Sequence, residues 1–290
     1  MSLKKSLIEF SFRLQYQTQR LIQGWRFRNL PIPAGGWPIL MGISFPKSGT
    51  NLIRQVLAGF TQVAPFADRS FDVFSPHDYE TGRARTAGEA LTFLTNLKPG
   101  DIAQVHFYSW PEVIEEVCSH QYIPFFIYRD PRDVVVSHMF YVTKMAPEHS
   151  HHQFYTGVLK TDDERLSVSI SGRPEVDLDF PHIGKRFEPY LGWLDQSEVL
   201  SLRFEDFIMD RNSTLDRVLA HYTKCLDLKV PRERMIDILV RSINPSKSPT
   251  FRGGRVGDWR KHFKDEHKVL FKNVAGDLLI RLGYEKGYDW

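Results

Sequence analysis

The amino-acid sequence predicts a single α/β domain with a mainly parallel central sheet flanked by helices. Short apolar runs alternate along the chain with stretches of helical periodicity, which is the pattern of a parallel sheet covered by helices. The chain has 290 residues, of which 42% are hydrophobic and 25% charged, so it can bury a large core without disulfide bonds.

Four apolar runs are predicted to form the strands of this sheet, at residues 39–44, 102–106, 123–128 and 198–203. Helices are predicted between and after them, at residues 51–60, 88–97, 111–118, 133–141, 215–222, 232–241 and 264–282. Pro111 supports the start of its helix, because proline favours the first helical turn. Residues 146–179 are rich in His, Ser, Gly and Asp and are predicted to form a long loop or lid.

Residues 1–35 form a basic amphipathic segment that differs from residues 36–290, the predicted α/β domain. Six basic residues and one acid, Glu9, are mixed there with aromatic and aliphatic side chains. We favour the interpretation of a helix that packs on the domain and keeps its arginines in water. Two other interpretations stay open, namely peripheral contact with an anionic membrane surface and a mitochondrial-type presequence.

The first predicted strand runs directly into the sequence Phe-Pro-Lys-Ser-Gly-Thr at residues 45–50, just before a predicted helix. A strand, a glycine turn and a helix start direct several backbone N–H groups and the positive end of the helix dipole at one phosphate. In the common nucleoside-triphosphate loop, G-x-x-x-x-G-K-[ST], lysine follows the last glycine, whereas Lys47 precedes Gly49. The domain is therefore predicted to be P-loop-like, with a loop that argues against a standard triphosphate and its metal.

Two further segments have residues that suit anions. Arg129 follows the third predicted strand, at the edge where open α/β sheets bind ligands, and Ser137 lies in the next helix. Arg252, Gly253 and Gly254 belong to a glycine-rich segment whose backbone can approach a ligand closely. Either segment alone would be read as ion pairs or a surface turn. Three such elements in one chain predict a single ligand with phosphates at two separated points.

The composition of the chain limits the kinds of partner and cofactor that we expect it to bind. A net charge of +3 and an isoelectric point near 8.7 are too mild for a nucleic-acid-binding protein. Cys118 and Cys225 are the only cysteines and lie far apart, so we expect neither a disulfide framework nor a metal site. The sequence contains no stretch of roughly 18 apolar residues and no apolar signal-peptide core. A cytoplasmic protein is therefore expected, with membrane association left open.

The three anion-suited segments occur in the order and spacing of the sulfotransferases. They are Pro46 to Thr50, Arg129 to Asp133 together with Ser137, and Arg252-x-Gly-x-x-Gly-Asp-Trp259. The chain resembles this family from about residue 38 to residue 263. The resemblance implies 3′-phosphoadenosine 5′-phosphosulfate (PAPS) as the sulfuryl donor, 3′-phosphoadenosine 5′-phosphate (PAP) as product and no metal. The implied acceptor is a hydroxyl or amine of a small molecule or lipid-like compound.

The resemblance also implies roles for individual residues. The 5′-phosphosulfate would be held by Lys47, Ser48, Gly49, Thr50 and Asn51. The 3′-phosphate would be held by Arg129, Ser137, Arg252 and the backbone of Gly253 and Gly254. His106, at the end of the second predicted strand, matches the family's catalytic histidine.

The chemistry of sulfuryl transfer suits these residue types. The reaction is an in-line displacement in which charge grows on the departing phosphate oxygen while the acceptor loses a proton. Lys47 can neutralise the leaving oxygen, and a neutral His106 can act as general base. The sulfuryl group carries less charge than a terminal phosphoryl group, so this chemistry does not demand a metal clamp.

Three positions depart from the family pattern. Residues 51–53 lack the tryptophan that stacks on adenine in many cytosolic members, so the sequence leaves the adenine contact open. Gln104 replaces a family lysine two positions before the histidine, and Gly253 replaces a lysine of the late segment. The family's short dimerisation motif is not recognisable, and the oligomeric state stays open.

The acceptor site is less well defined by the sequence. Phe107, Tyr108, Tyr141 and Met145 flank the positions above and are predicted to line an apolar acceptor pocket. His149, His151 and His152 fall in the predicted loop without nearby cysteines or a carboxylate pattern. We interpret these histidines as part of a solvated lid rather than as a metal site.

Two other functions stay open at this point. A P-loop kinase would also need a phosphate-binding loop, but it would depend on Mg²⁺ and ATP and on a second acidic site that the sequence does not show. A non-catalytic nucleotide-binding module would keep the anion-binding loops and would have no need for His106.

Overall fold

The structure, a computed structural model, describes residues 3–69, 73–77, 83–173, 180–227, 229–248 and 251–290, with side chains from residue 10 onward. At its centre is a parallel sheet whose strands lie in the order β2-β3-β1-β4-β5. The strands are β1 (Ile39–Ser44), β2 (Ala67–Asp68), β3 (Asp101–Val105), β4 (Tyr122–Tyr128) and β5 (Leu200–Arg203). The predicted fold class is therefore confirmed.

Helices precede, connect and follow these strands. They are α1 (Leu3–Arg26), α2 (Thr50–Ala58), α3 (Ala87–Thr95), α4 (Pro111–Val117), α5 (Pro131–Phe140), α6 (Asp162–Ser171), α7 (Ile183–Phe187), α8 (Phe204–Met209), α9 (Arg211–Thr223), α10 (Arg232–Ser242), α11 (Asp265–Ala275) and α12 (Leu278–Arg281). Within the described residues, no helix combines the length and the apolar character needed to cross a bilayer.

The sheet is buried on both faces, as parallel sheets usually are. All residues of β1, β3 and β4 are buried. Met41 and Phe126 pack into a core with α5, α6 and α11, whereas Leu40 and Phe125 pack into a second core with α2, α9 and α10. The two cores hold the central strands in place, and therefore also the loops at their carboxyl ends.

Two predictions about elements were wrong. The predicted loop at 146–179 contains α6 and a π-helical turn at Phe154–Val158, while its residues 174–179 lie outside the described part of the chain. A capping box starts α6, because Thr161 and Glu164 each accept a hydrogen bond from the other's backbone N–H. The predicted helix at 264–282 is two helices, and the first of them ends at Gly276, whose φ is 24°.

Helix α1 packs against the edge of the sheet that β2 and β3 form. Tyr16 donates a hydrogen bond to the fully buried Asp101 at 2.6 Å, and Arg20 Nη1 lies 2.5 Å from the same carboxylate. The side-chain oxygen of Gln19 accepts a hydrogen bond from the backbone N–H of Asp68. These contacts agree with a helix packed on the domain, and they cover a strand edge that would otherwise be open.

Candidate functional site

An open cavity of about 1380 Å³ lies at the carboxyl end of the central strands. The loop at residues 45–49 follows β1, His106 follows β3, and Arg129 follows β4. Strand β1 lies between β3 and β4, so that β2 and β3 follow it in the chain on one side of the sheet and β4 and β5 on the other. Such a topological switch point is where open α/β sheets bind their ligands.

The loop after β1 makes a tight turn into α2. Gly49 has a φ of 108°, and a Cβ there would lie 2.9 Å from the side chains of Ile127 and Phe204. Among the described residues, Lys47 is the only one other than glycine with a positive φ, at 70°. Among the described residues, no side chain caps the N-terminus of α2, and Thr50 and Asn51 of its first turn line the cavity. The geometry is that of an anion-binding turn.

Lys47 stands in the cavity with other cations. Its ammonium nitrogen lies 3.7 Å from the ring centroid of Tyr141. Burial is the main cause that lowers the pKa of Lys47 to about 8, and the charges of Arg129 and Arg252 contribute to the same shift. A phosphate ligand would favour the charged lysine, because an opposite charge stabilises it.

The last residue of β1, Ser44, determines which ring nitrogen of His106 carries the proton. Its Nδ1 lies 2.6 Å from the backbone oxygen of Ser44 and 3.2 Å from the Ser44 hydroxyl. Since a carbonyl oxygen can only accept, Nδ1 carries the proton and Nε2 keeps its lone pair. Burial lowers the pKa of His106 below its ordinary value. The imidazole is therefore neutral at pH 7 and can accept a proton at Nε2.

The start of α5 holds the glycine-rich segment against the end of β4. The Asp133 carboxylate accepts hydrogen bonds from the N–H groups of Gly257, at 2.9 Å, and Trp259, at 2.8 Å. The buried Arg129 donates to the backbone oxygen of Arg255 at 2.8 Å. The contact between Asp133 and Trp259, which are 126 residues apart, thereby joins the second and third anion-suited segments.

The cavity brings together most of the predicted donor-binding residues. Its lining includes Lys47, Gly49, Thr50, Asn51, Arg129, Ser137, Arg252, Gly253 and Gly254. Arg252 is oriented by Asp258, whose carboxylate lies 2.6 Å from its guanidinium, and by the Phe140 ring beneath it. Ser48 is fully buried, and its hydroxyl has no hydrogen-bond partner among the described residues.

The predicted acceptor residues divide into two groups. Tyr141 and Met145 line the cavity. Phe107 does not, because its side chain is fully buried in the core against Phe74 and Phe93. Tyr108 also lies outside the lining, and its hydroxyl lies 3.0 Å from the ring of His77.

Other lining residues were missed by the sequence prediction. His77 lies in a stretch without a predicted element. Leu52, Phe204, Ile208 and Phe251 add apolar side chains to the lining, and we call these four residues the apolar part of the lining. The only sequence signal for this part was the position of Phe251 beside the glycine-rich segment.

The interpretation of the histidines as a solvated lid was wrong for His151. This residue is only 6% exposed and packs on the rings of His149 and Phe180. Burial lowers the pKa of His151 to about 4, and His149 contributes in the same direction. His149 lines the cavity, so this cluster forms part of its wall.

The fold and the cavity define a P-loop-like α/β protein with a phosphate-binding loop and a second cationic site. The sulfotransferase domain family matches residues 39–283, and the chain belongs to this family, as the motifs predicted. The 3-alpha-hydroxysteroid sulfotransferase of Cavia porcellus is 23% identical over 275 residues, which cover 86% of this chain and 85% of that protein.

Two solved structures show the same fold. A mouse sulfotransferase complexed with PAP has a TM-score of 0.57 and 16% identity, and the match covers 86% of each chain. Retinol dehydratase in complex with androsterone and PAP has a TM-score of 0.52 and 14% identity, with 90% of this chain and 85% of that chain covered.

We predict that Asp133→Asn loosens the glycine-rich segment. The amide has one acceptor oxygen in place of two, so one of the N–H groups of Gly257 and Trp259 loses its partner, at a cost of about 1.5 to 3 kcal/mol. Hydrogen exchange at these two amides should accelerate and the Tm should fall. Asp265→Asn, at a carboxylate that is 95% exposed, is the matched control and should change neither. Unchanged hydrogen exchange at these amides in Asp133→Asn would contradict the conclusion that Asp133 holds the glycine-rich segment in place.

Proposed function

We propose that the protein transfers a sulfuryl group from PAPS to a hydroxyl or amine of a small-molecule or lipid-like acceptor. The observation that carries the proposal is that the phosphate-binding loop, a second cationic set and a neutral histidine all line one cavity. Membership of the sulfotransferase domain family supports it, as do the PAP complexes of two structural neighbours.

The donor would span the two cationic parts of the cavity. Lys47 and the N-terminus of α2 would hold the phosphosulfate end, through the charge of the lysine and the positive end of the helix dipole. Arg129, Ser137 and Arg252 would hold the 3′-phosphate, together with the backbone of residues 253 and 254. The Nε of Arg129 is buried and has no hydrogen-bond partner among the described residues.

The adenine ring would lie against the apolar part of the lining. Leu52, Phe204, Ile208 and Phe251 form this part, and Phe251 is 45% exposed. An exposed aromatic side chain next to Arg252 offers a stacking surface in place of the missing tryptophan.

His106 and Lys47 would have separate roles in the transfer step. The Nε2 of His106 would take the acceptor proton, while Ser44 holds the ring through Nδ1. Lys47 would place its ammonium against the charge that develops on the leaving phosphate. Its contact with the Tyr141 ring keeps it in the cavity before a donor binds.

The acceptor would enter beside His106, where the lining is partly apolar. Tyr141, Met145 and Val73 line the cavity, with His77 among them. Retinol dehydratase has been solved with androsterone and with retinol, which are hydroxylated and largely apolar. These observations support a small apolar alcohol as the acceptor class.

A ligand comparison separates this proposal from a P-loop kinase. PAP without metal should raise the Tm well above that of the free protein, because its two phosphates match the two cationic parts of the cavity. ATP with Mg²⁺ should raise it much less. Equal stabilisation by ATP with Mg²⁺ would favour a kinase and count against a sulfotransferase.

A transfer assay with labelled PAPS tests the role of His106. The acceptor panel should contain hydroxysteroids, phenols, a retinoid alcohol, an aryl amine and a lipid extract. His106→Ala should lower kcat at least about 100-fold, because the general base is lost, while the Kd for PAP stays within about twofold. His120→Ala, at an exposed histidine, is the control and should keep full activity. A fully active His106→Ala enzyme would exclude the residue from the mechanism.

The pH dependence of kcat/KM should report the titration of the two groups whose pKa values are lowered, His106 and Lys47. As the pH falls, His106 becomes protonated and loses its function as a base, but its lowered pKa places this loss below pH 6.5. As the pH rises through about 8, Lys47 loses its charge and activity should fall again. Lys47→Arg should remove the alkaline limb up to pH 10, because a guanidinium stays charged. A wild-type profile that is flat from pH 7 to 10 would contradict this account.

A further inference from the structure

Helix α1 has two faces with different surroundings. The face that packs on the sheet carries Tyr16 and Gln23, which are 8% and 7% exposed. The other face carries Phe10, Leu14, Leu21 and Trp25, which are 66%, 53%, 76% and 70% exposed; we call these four residues the apolar stripe.

The apolar stripe points away from the domain. At about 100° per residue, Leu14, Leu21 and Trp25 lie roughly 140° to 180° around the helix from Tyr16. Hydrogen bonds from Tyr16 and Arg20 to Asp101 fix this orientation. Four large apolar side chains in a row on a surface usually mark a site of interaction.

The charge around the stripe favours an anionic surface. Residues 1–30 contain six basic residues and one acid, a net charge of +5, whereas the whole chain is +3 and the remainder is therefore −2. Arg13 and Arg28 are exposed, and the Arg28 guanidinium lies 4.8 Å from the Trp25 ring centroid. Two copies of α1 would repel each other, since Glu9 is the only acid in this segment.

We infer that α1 docks the protein on anionic phospholipid membranes through the apolar stripe. The side chains of the stripe would enter the boundary between headgroups and acyl chains, and the arginines would contact lipid phosphates. Trp25 beside Arg28 is the pairing that suits this boundary, where an aromatic ring and a cation are both favoured. Because the packed face already holds the helix, docking requires little further ordering. The inference does not rest on the proposed sulfotransferase activity.

Flotation of the full-length protein with vesicles tests the inference. The vesicles are phosphatidylcholine alone or phosphatidylcholine with 30% phosphatidylserine. Binding should require phosphatidylserine and should weaken at high salt, because surface charge is screened. Leu21→Gln with Trp25→Gln should weaken binding more than tenfold, and Arg13→Gln with Arg28→Gln about twentyfold.

The control is Met209→Gln with Val269→Gln, which removes two apolar side chains that are 77% and 58% exposed elsewhere on the surface. This variant should bind vesicles like the wild type. The Tm of each variant, measured in parallel without ligand, shows that the variant is folded and is a readout independent of both lipid binding and PAP binding. Absence of vesicle binding, or binding unaffected by Leu21→Gln with Trp25→Gln, would overturn the inference. It would also be overturned if light scattering showed that the stripe instead mediates a dimer.

Discussion

The carboxylate of Asp133 holds the functional site together. It lies at the start of α5 and accepts hydrogen bonds from the backbone of Gly257 and Trp259. Arg129 completes the connection by donating to the backbone of the same segment. A glycine-rich segment is entropically costly to order, so this fixed attachment is what brings Arg252 and its glycines into the cavity.

The second constraint is that β1 and β3 are neighbouring parallel strands. Their pairing places Ser44 beside His106, so that the strand which leads into the phosphate-binding loop also sets the tautomer of the histidine. The hydroxyl of Ser44 reaches Thr50 in turn, at 2.9 Å. The end of one strand thus holds both the loop and His106, and Lys47, Arg129 and Arg252 line the same cavity. Burial, and after it the charges of Arg129 and Arg252, lower the pKa of Lys47, and a bound phosphate ligand would oppose that shift.

Local patterns in the sequence predicted much of the fold, and most of the residues singled out for donor binding line the cavity. Lys47, Arg129, Ser137 and Arg252 belong to short motifs, so their relation to phosphate could be read directly. The contact that Asp133 makes with the glycine-rich segment could not be predicted, because a contact between residues 126 apart leaves no local pattern in the sequence. Phe107 was misplaced because its side chain packs in the core, whereas the preceding residue, His106, lines the cavity. The two faces of α1 also depend on Asp101, which is distant in sequence.

One ligand with two separated phosphates is expected to fit this cavity. Isothermal titration of the wild-type protein and Arg252→Ala with PAP and with 5′-AMP tests it most directly, since the two nucleotides differ only in the 3′-phosphate. The wild type should bind PAP at least about thirtyfold more tightly, because the 3′-phosphate would meet charged donors, and Arg252→Ala should lose most of that preference. Equal affinity of the wild type for the two nucleotides would contradict the account.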